Sequence, residues 1–388
     1  MKKVLSILLV VAMLFVAAGC SGGNESAPAQ GATPATDAAT DANQEAQPSA
    51  PAEDTASNEG DKTLRRNEIV RVGFTASVAG FTWSPLLIAD VLGYFDQEGI
   101  DVVFEQSYSS SASRMVAANQ VEFSTPGPHL TAAGIASGMD IISVFQWFPV
   151  DIFGFAVMNG SDMQSVADLS GKKIGTMTPT TKNQVIPILE AAGVDPATVE
   201  MIPVSDARVQ QLTEGTVDAV WTWDGEWQQW KAEGMDIRYL SGQDYYKSSS
   251  NSIITSTQLV NEYPELVEGF SRALAKGSYF CYKNPRAAAD IIITNWTSLL
   301  VDLDTAEEIV KTAVNFMTGG ADVMEGNTIG QHDAAAWELM MKDYVKMGIV
   351  PEAVPIEKCY TNQFIEAAND WDRAEVDADA ANYQFSEQ

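Results

Sequence analysis

Histidine and cysteine are scarce in this sequence, which holds two of the former and three of the latter in 388 residues. Two histidines leave no room for a zinc site built on a histidine cluster. Three cysteines cannot form a dense disulfide framework. Neither a phosphate-binding P-loop nor an H-E-x-x-H motif is present, so the sequence gives no support to an NTPase or a metalloprotease. We expect no metal and no cofactor.

Basic residues are also few. The chain has 23 Lys and Arg against 52 Asp and Glu, a formal net charge of −29. A surface of this sign repels a phosphate backbone, which excludes nucleic acid as a partner. Apolar residues are plentiful, at 46% of the chain with 9% aromatic. This composition excludes global disorder, and the length fits two lobes with additional segments.

The N-terminus has the pattern of an export signal. Lys2 and Lys3 precede an apolar run over residues 4–18, which is shorter than the ~20 residues of a membrane span. The run ends in Ala-Ala-Gly-Cys at residues 17–20, which resembles a bacterial lipobox. We therefore predict a signal peptide at 1–19 and lipidation of Cys20. The alternative is an ordinary secretory signal followed by a chance cysteine.

Residues 20–67 form an acidic linker of low complexity. It is rich in Ala, Pro, Ser and Thr, and eight acidic residues precede its first base, Lys62. Such a segment buries too little apolar surface to fold, so we predict a disordered tether.

Strand and helix patterns alternate from Ile69 onward, which predicts an α/β fold with a mostly parallel sheet. The alternation restarts near Asp162, and the pattern after Ser256 is mostly helical. The stretches 115–123 and 211–219 each join a helix end to a Val-acid-apolar strand start. This weak repeat indicates two similar lobes.

Four stretches of the segment 69–295 resemble one family, the SsuA/THI5-like (NMT1) substrate-binding proteins of ABC importers. These are Gly-Tyr-Phe followed by Gly-Ile-Asp-Val within 85–102, Asp-Leu-Ser-Gly-Lys-Lys-Ile-Gly at 168–175, Leu to Val-Asp-Ala at 212–219, and Pro-Glu-Leu-Val at 264–267.

The resemblance implies a type II periplasmic-binding fold, in which two lobes joined by a hinge close on a ligand. The first lobe would comprise 69–157 with 253–388, and the second 158–252. The implied function is that of an extracytoplasmic solute-binding protein, without enzymatic activity. It would be a monomer, lipid-anchored to the cell membrane, and would deliver a small molecule to an ABC permease and its ATPase.

Ligands of open α/β sheets bind beyond the carboxyl ends of the strands. The loops at those positions supply the candidate ligand-binding residues Phe81, Trp83, Ser109, Ser110, Ser111, Gly127, His129, Trp147, Thr178, Thr180, Trp223 and Asp224. For hydroxyl residues such as Ser111, helix capping alone is the alternative explanation.

Trp83 and Trp223 are expected in the mouths of opposite lobes, where flat rings stack on a flat ligand. The alternative is core packing. Trp223-Asp224-Gly225 resembles a Trp-Glu-Gly stretch of thiamine-pyrimidine-binding members, so Asp224 is expected to accept an amine or ring N–H, or else to cap a helix. The bases near these loops are Arg114 and Lys182. Their small number favours a neutral or weakly cationic heteroaromatic ligand over a sulfonate or nitrate.

Two other functions remain open from the sequence. The THI5-like group includes a pyrimidine synthase with a Lys-bound pyridoxal phosphate, a sacrificial His and a cysteine-rich iron motif. The export signal and the absence of clustered cysteines argue against that enzyme. An extracytoplasmic sensor is not distinguished from a transport component. Whether Cys281 and Cys359 pair is also open.

Overall fold

A computed structural model describes residues 69–74, 81–106, 109–295, 301–318 and 321–386. The predicted signal peptide, Cys20 and the predicted linker lie outside these residues. Among the helices of the described part, none is both long and apolar enough to cross a bilayer.

Five strands form the first sheet, in the order β2-β1-β3-β10-β4. They are β1 (Ile69–Phe74), β2 (Asp101–Gln106), β3 (Phe123–Ser124), β4 (Ile142–Phe145) and β10 (Ile253–Thr255). β1 runs parallel to β2 and β3, whereas β10 lies antiparallel between β3 and β4. One strand of the first sheet therefore comes from a distant part of the sequence.

The second sheet repeats this arrangement in the order β7-β6-β8-β5-β9. Its strands are β5 (Phe153–Met158), β6 (Lys173–Thr176), β7 (Glu200–Pro203), β8 (Ala219–Trp223) and β9 (Ile237–Ser241). β6 is parallel to β7 and β8, and β5 is antiparallel to β8 and β9. Two α/β units of this kind confirm the predicted two-lobed fold class.

One detail corrects the predicted division. The first lobe was expected to continue to residue 157, but the strand β5 that begins at Phe153 pairs within the second sheet. The antiparallel ladder of β5 accounts for this, because its backbone groups are satisfied by β8 and β9. The other lobe boundaries stay a prediction.

Helices cover both sheets and make up most of the C-terminal third. They are α1 (Ser84–Val91), α2 (Tyr94–Gln97), α3 (Ser109–Ala117), α4 (Pro128–Ala136), α5 (Lys182–Ala191), α6 (Arg208–Thr213), α7 (Asp224–Ala232), α8 (Thr257–Glu262), α9 (Pro264–Lys283), α10 (Pro285–Asn295), α11 (Leu303–Thr318), α12 (Ala321–Glu325), α13 (Ala334–Lys346), α14 (Ile365–Ala368) and α15 (Arg373–Ala381).

The core of the first unit is built on α9, which packs against α1. The two helices approach closely at Gly277, where an added Cβ would lie 2.1 Å from the carbonyl oxygen of Pro85. Phe270 of α9 stacks on Phe123 of β3, with ring centroids 4.0 Å apart. The C-terminal helices α11 and α15 contribute buried side chains to the same core. The C-terminal region therefore packs on the first unit.

The chain passes between the sheets twice, and the two crossing segments are hydrogen-bonded to each other. The amide of Phe148 donates to the carbonyl of Asn251, and the amide of Ser250 donates to the carbonyl of Phe148. The buried Gln146 side chain donates to the carbonyls of Phe148 and Ser250, at 2.9 and 3.0 Å. These paired segments form the connection about which the two units are positioned.

Candidate functional site

A cavity of about 40 Å³ that opens to solvent lies where elements of both units meet. Its walls come from the start of α4 and from α13 in the first unit, from the start of α5 in the second, and from both crossing segments. The lining residues are Pro128, His129, Asp151, Phe153, Asn183, Gln184, Pro187, Tyr246, Ser248, Ser249, Ser250, Met340, Tyr344 and Ile349.

Two helices begin at the cavity, each following a parallel strand. α4 starts after β3, with Gly127 as its extended N-cap. α5 starts after β6, and a reciprocal hydrogen-bond pair between Thr178 and Thr181 precedes it. Both helix starts contribute residues to the walls, Pro128 and His129 from α4 and Asn183 and Gln184 from α5. The carboxyl-end rule used in the sequence analysis thus identifies two of the walls.

The most polar wall is the carboxyl group of Asp151, which is only 7% exposed. Its Oδ1 accepts the amide of Phe153 at 3.1 Å, and its Oδ2 accepts the hydroxyl of Ser248 at 3.1 Å. Burial raises the pKa of Asp151 to about 7, although these hydrogen bonds and one from the Ile152 amide act in the opposite direction. A carboxyl group with this pKa changes its charge near neutral pH.

An aromatic cluster adjoins Phe153 on the second sheet. Phe153 stacks on Trp221 with centroids 4.7 Å apart and an interplanar angle of 11°, and it is the cross-strand partner of Trp223. The guanidinium of Arg208 lies 5.9 Å from the centre of the half-buried Trp223 ring. Arg208 is itself 1% exposed and pairs with Glu226 at 2.6 Å. Its charge is therefore neutralised behind the cluster.

Asp224 begins α7 at the end of β8. Its amide donates to the carbonyl of Ile152 at 3.0 Å, which ties it to the first crossing segment beside Asp151. The side chain is 3% exposed, and its Oδ1 has no hydrogen-bond partner within the described residues. Burial raises the pKa of Asp224 to about 7, opposed by a hydrogen bond from Gln228. The predicted acceptor is thus a second buried carboxyl group next to the crossing segment.

His129 lines the cavity, half-buried at the start of α4, and its predicted contact with a ligand stays a prediction. Its ring centroid is 6.5 Å from that of Tyr344. Burial lowers the pKa of His129 to about 4, so the ring is neutral at physiological pH. It adds a neutral, aromatic surface to the cavity.

The other predicted residues lie elsewhere. Phe81, Trp83 and Trp147 are buried in the core of the first unit, and the edge of Trp83 meets Trp147 at 5.0 Å. Ser109, Ser110 and Ser111 form the first turn of α3. Thr178 and Thr180 are exposed, with their hydroxyls 2.9 Å apart. For all of these, contact with a ligand stays a prediction.

Sequence reasoning missed most of the cavity, including Asp151, Phe153 and the segment 246–250. It considered the loops that follow parallel strands, whereas these residues lie on the two crossing segments. The signal available in the sequence was the run Tyr-Lys-Ser-Ser-Ser at 246–250, a cluster of hydroxyl groups. Asn183 and Gln184 were passed over inside a helix whose first turn faces the cavity.

The described residues include two of the three cysteines. Cys281 and Cys359 are both buried and free, so they do not pair. Within the same residues, no group of three or more His, Cys, Asp or Glu side chains is placed to hold a metal ion.

Comparison with known proteins gives one family match and several distant relatives. The family described as NMT1/THI5 like matches residues 81–288, more than half of the chain. The riboflavin-binding protein RibY of Chloroflexus aurantiacus is 24% identical over 74% of this chain and 84% of its own. The formylaminopyrimidine-binding protein of Halalkalibacterium halodurans is 24% identical over 75% and 90%.

Two of the relatives are named as pyrimidine phosphate synthases. The 4-amino-5-hydroxymethyl-2-methylpyrimidine phosphate synthase of Legionella pneumophila is 22% identical over 73% of this chain and 88% of its own. Among solved structures, the periplasmic aliphatic sulphonate binding protein SsuA of Escherichia coli superposes with a TM-score of 0.59 at 15% identity, covering 76% of this chain and 93% of its own. That likeness is one of fold.

Proposed function

The chain belongs to the NMT1/THI5-like family, and from this premise we propose that it is the extracytoplasmic solute-binding component of an ABC importer. It captures a small heteroaromatic nutrient between its two lobes and delivers it to a permease. The observation that carries the proposal is the cavity whose walls come from both sheet units and both crossing segments. A site shared in this way is completed or opened by relative movement of the units.

The chemistry of the walls supports a flat, polar ligand. Phe153, Tyr344 and the neutral His129 offer ring surfaces, while Asn183 and Gln184 offer uncharged amides. Two of the relatives are named for binding riboflavin and formylaminopyrimidine, which are both heteroaromatic. A pyrimidine-like or flavin-like nutrient fits this combination.

The N-terminal sequence supports the proposed extracytoplasmic location. A lipidated Cys20 and the acidic tether at 20–67 would hold the folded units outside the cell membrane, next to the permease. An exported, anchored chain is consistent with a transport component and leaves no access to cytoplasmic substrates.

A synthase is the second candidate, because the similarity to the Legionella enzyme covers the same part of the chain. An enzyme of that group would need a lysine to hold pyridoxal phosphate. No lysine is among the residues that line the cavity in the described structure. Absorbance of the purified protein in the Schiff-base band distinguishes the two: a band that disappears on reduction with borohydride supports the synthase.

The proposed function is tested by ligand screening combined with solution scattering. Mature protein is screened by thermal shift against pyrimidines, flavins, sulfonates, nitrate and amines. A ligand at ~100 times its Kd stabilises the folded state by about 2.7 kcal/mol. The ligand that does so should also reduce the radius of gyration. A stabilising ligand without compaction would contradict closure of the lobes, and a screen in which only anions stabilise would contradict a heteroaromatic nutrient.

A further inference from the structure

We propose that the buried carboxylate of Asp151 is the group that selects the ligand, by accepting a hydrogen bond from an uncharged or cationic N–H group and by excluding anions. This inference rests on the proposed function and names the class of molecule that the cavity takes. Asp151 is absent from the loops that sequence patterns single out, and it belongs to the first crossing segment.

The first step is the acceptor capacity that Asp151 retains. An ionised carboxylate offers about four acceptor positions. The protein uses up to three, for the Phe153 amide, the Ser248 hydroxyl and the Ile152 amide, which leaves at least one for a ligand. The side chain lines the cavity and is shielded from bulk water. A ligand N–H placed there replaces water that a buried carboxylate would otherwise need.

The second step is the absence of positive charge. None of the residues that line the cavity in the described structure is a lysine or an arginine. Lys182 and Arg114, the bases expected near the site, have exposed side chains and are not part of its walls. The buried Arg208 is paired with Glu226. An anion entering the cavity therefore meets a carboxylate in a medium that screens charge poorly, with no cation to offset the repulsion.

The third step is the character of the remaining walls. Tyr246 lines the cavity with its hydroxyl committed to Asp343 at 2.6 Å. Phe153 and Tyr344 add aromatic surface. The aromatic walls thus fix the orientation of a flat ligand ring. Asp151 then favours rings that carry an N–H donor over rings that lack one. A site built to accept a hydrogen bond rejects analogues that lack the donor, because the buried acceptor then stays unpaired.

The competing explanation is that Asp151 serves only to join the crossing segments through Ser248. A matched variant separates the two. Asp290 is also a buried aspartate, 2% exposed, and its Oδ2 accepts from the Tyr383 hydroxyl and the Ser386 amide. It lies on α10, away from the cavity. Asp290→Asn therefore makes the same chemical change, with a similar loss of hydrogen bonding, at a position that does not line the cavity.

The experiment measures Kd by titration calorimetry for three probes: 4-amino-5-hydroxymethyl-2-methylpyrimidine, riboflavin and ethanesulfonate. We expect the wild-type protein to bind at least one of the first two and not ethanesulfonate. Asp151→Asn should weaken binding of that heteroaromatic probe at least tenfold. It should also reduce the ratio of its affinity to that for ethanesulfonate. Asp290→Asn should leave both affinities within twofold of wild type.

A second measurement uses only wild-type protein, in case Asp151→Asn does not fold. Each heteroaromatic probe is compared with an analogue in which the donor is blocked, such as 3-methylriboflavin for riboflavin. The blocked analogue of the probe that binds should bind at least tenfold more weakly.

The possible failures are distinct. Unchanged affinity of folded Asp151→Asn, or equal binding of blocked and unblocked probes, overturns the role of Asp151 and leaves solute binding intact. Ethanesulfonate as the tightest wild-type probe also overturns the inference while supporting a binding protein. Binding of none of the three probes contradicts the inference and the proposed heteroaromatic ligand together.

Discussion

The carboxylate of Asp151 accepts a hydrogen bond from the hydroxyl of Ser248 at 3.1 Å, and these two residues stand on different crossing segments, 97 positions apart in the sequence. The bond joins the two connections between the sheet units at the wall of the cavity. Under the proposed function, a ligand that contacts Asp151 would also contact the connection between the two sheet units.

Removing this bond should destabilise the protein measurably. Ser248→Ala leaves one buried oxygen of Asp151 with one partner fewer, at a cost of about 1 kcal/mol. Urea unfolding of the variant checks this value. Ser249→Ala is the matched control, because the neighbouring hydroxyl is buried and contacts only the sulfur of Met340, at 3.9 Å, among hydrogen bonds of the described residues. If Ser248→Ala and Ser249→Ala lower the free energy of unfolding equally, the hydrogen bond to Asp151 does not contribute to stability beyond any buried serine hydroxyl.

The tryptophans Trp83 and Trp223 should respond differently to truncation. Trp83 is 3% exposed in the core, so Trp83→Ala should cost about 3–5 kcal/mol of folding free energy. Trp223 is half-buried beside Phe153, and Trp223→Ala should weaken ligand binding at least tenfold, with Trp223→Phe less affected. Calorimetry gives the affinities and thermal unfolding gives the stabilities.

Trp371 provides the control for this pair. It lies on the C-terminal region, covered by Arg373 at 3.7 Å from its ring centre. Trp371→Ala should leave affinity unchanged. If Trp223→Ala lowers only the stability, while the affinity of the folded fraction stays at the wild-type value, then stacking of a ligand on Trp223 is wrong.

Ligand affinity should depend on pH near neutrality. The pKa of Asp151 is about 7, so its ionised fraction rises as pH increases from 6 to 8. Only the ionised form accepts freely, so affinity for an uncharged N–H donor such as riboflavin should rise by roughly tenfold over that interval. Asp151→Asn should abolish the rise. A flat wild-type profile would contradict the prediction.

Other titratable groups lie near Asp151, and the pKa of one of them, Asp224, also lies between pH 6 and 8. His129 is neutral throughout, since its pKa is about 4, and burial raises the pKa values of the tyrosines further above neutrality. Asp224 also has a pKa of about 7, so Asp224→Asn is the control that must retain the rise. The groups concerned are His129 on α4, Asp224 on α7, Tyr239 on β9, Tyr246 on the second crossing segment, and Asp343 and Tyr344 on α13.

Acid should destabilise the fold through His332. Its Nε2 lies 2.7 Å from the Ser143 hydroxyl and its Nδ1 3.2 Å from Asn362, and burial lowers its pKa to about 3. In the unfolded chain a histidine titrates near 6.5, so protons bind the unfolded state first as pH falls below that value. Stability from this group is complete above pH 6.5 and lost toward pH 3, by about 2 kcal/mol at pH 5.

The variant His332→Gln isolates this contribution. The raised pKa values of Asp151 and Asp224 act in the opposite direction. Protonation of these buried carboxyl groups between pH 7 and 4 stabilises the folded state relative to the unfolded chain. The free energy of unfolding of wild type minus that of His332→Gln should therefore fall by about 2 kcal/mol from pH 7 to pH 5. A constant difference would mean that His332 is accessible to protons in the folded protein.

The membrane anchor is tested at Cys20. If this residue is lipidated, Cys20→Ala blocks processing at the lipobox or releases the protein to the medium. Cell fractionation and gel mobility report both outcomes. Unchanged membrane retention and unchanged mobility of the variant would contradict a lipid anchor.

The elements most accurately predicted from sequence were those with a local signature. Helix α9 has Pro264 at its first position and a long apolar face, and both signals are contained within its own twenty residues. Strands β5 and β10 were missed. β5 is a short apolar run without alternation, and β10 has only three residues. Neither shows the alternation of apolar and polar residues by which a strand is predicted. Both run antiparallel between neighbours that are distant in sequence.

Prediction of the candidate site was limited even more by contacts between residues distant in sequence. His129 was found because it follows a parallel strand and begins a helix. Asp151 and Tyr246 were not, because their approach depends on the pairing of two crossing segments about a hundred residues apart. Trp83 was expected in the mouth of a lobe, and it lies in the core because the neighbouring Trp147 provides an apolar contact that no local pattern indicates.

The position of β10 between β3 and β4 has a consequence for biosynthesis. All five strands of the second sheet lie between residues 153 and 241, whereas the first sheet needs β10 at 253–255 to connect β4 to its other described strands. A nascent chain that ends just after residue 241 therefore contains every described strand of the second sheet and an unfinished first sheet. The unit that is synthesised first is completed last, with open strand edges in the interval.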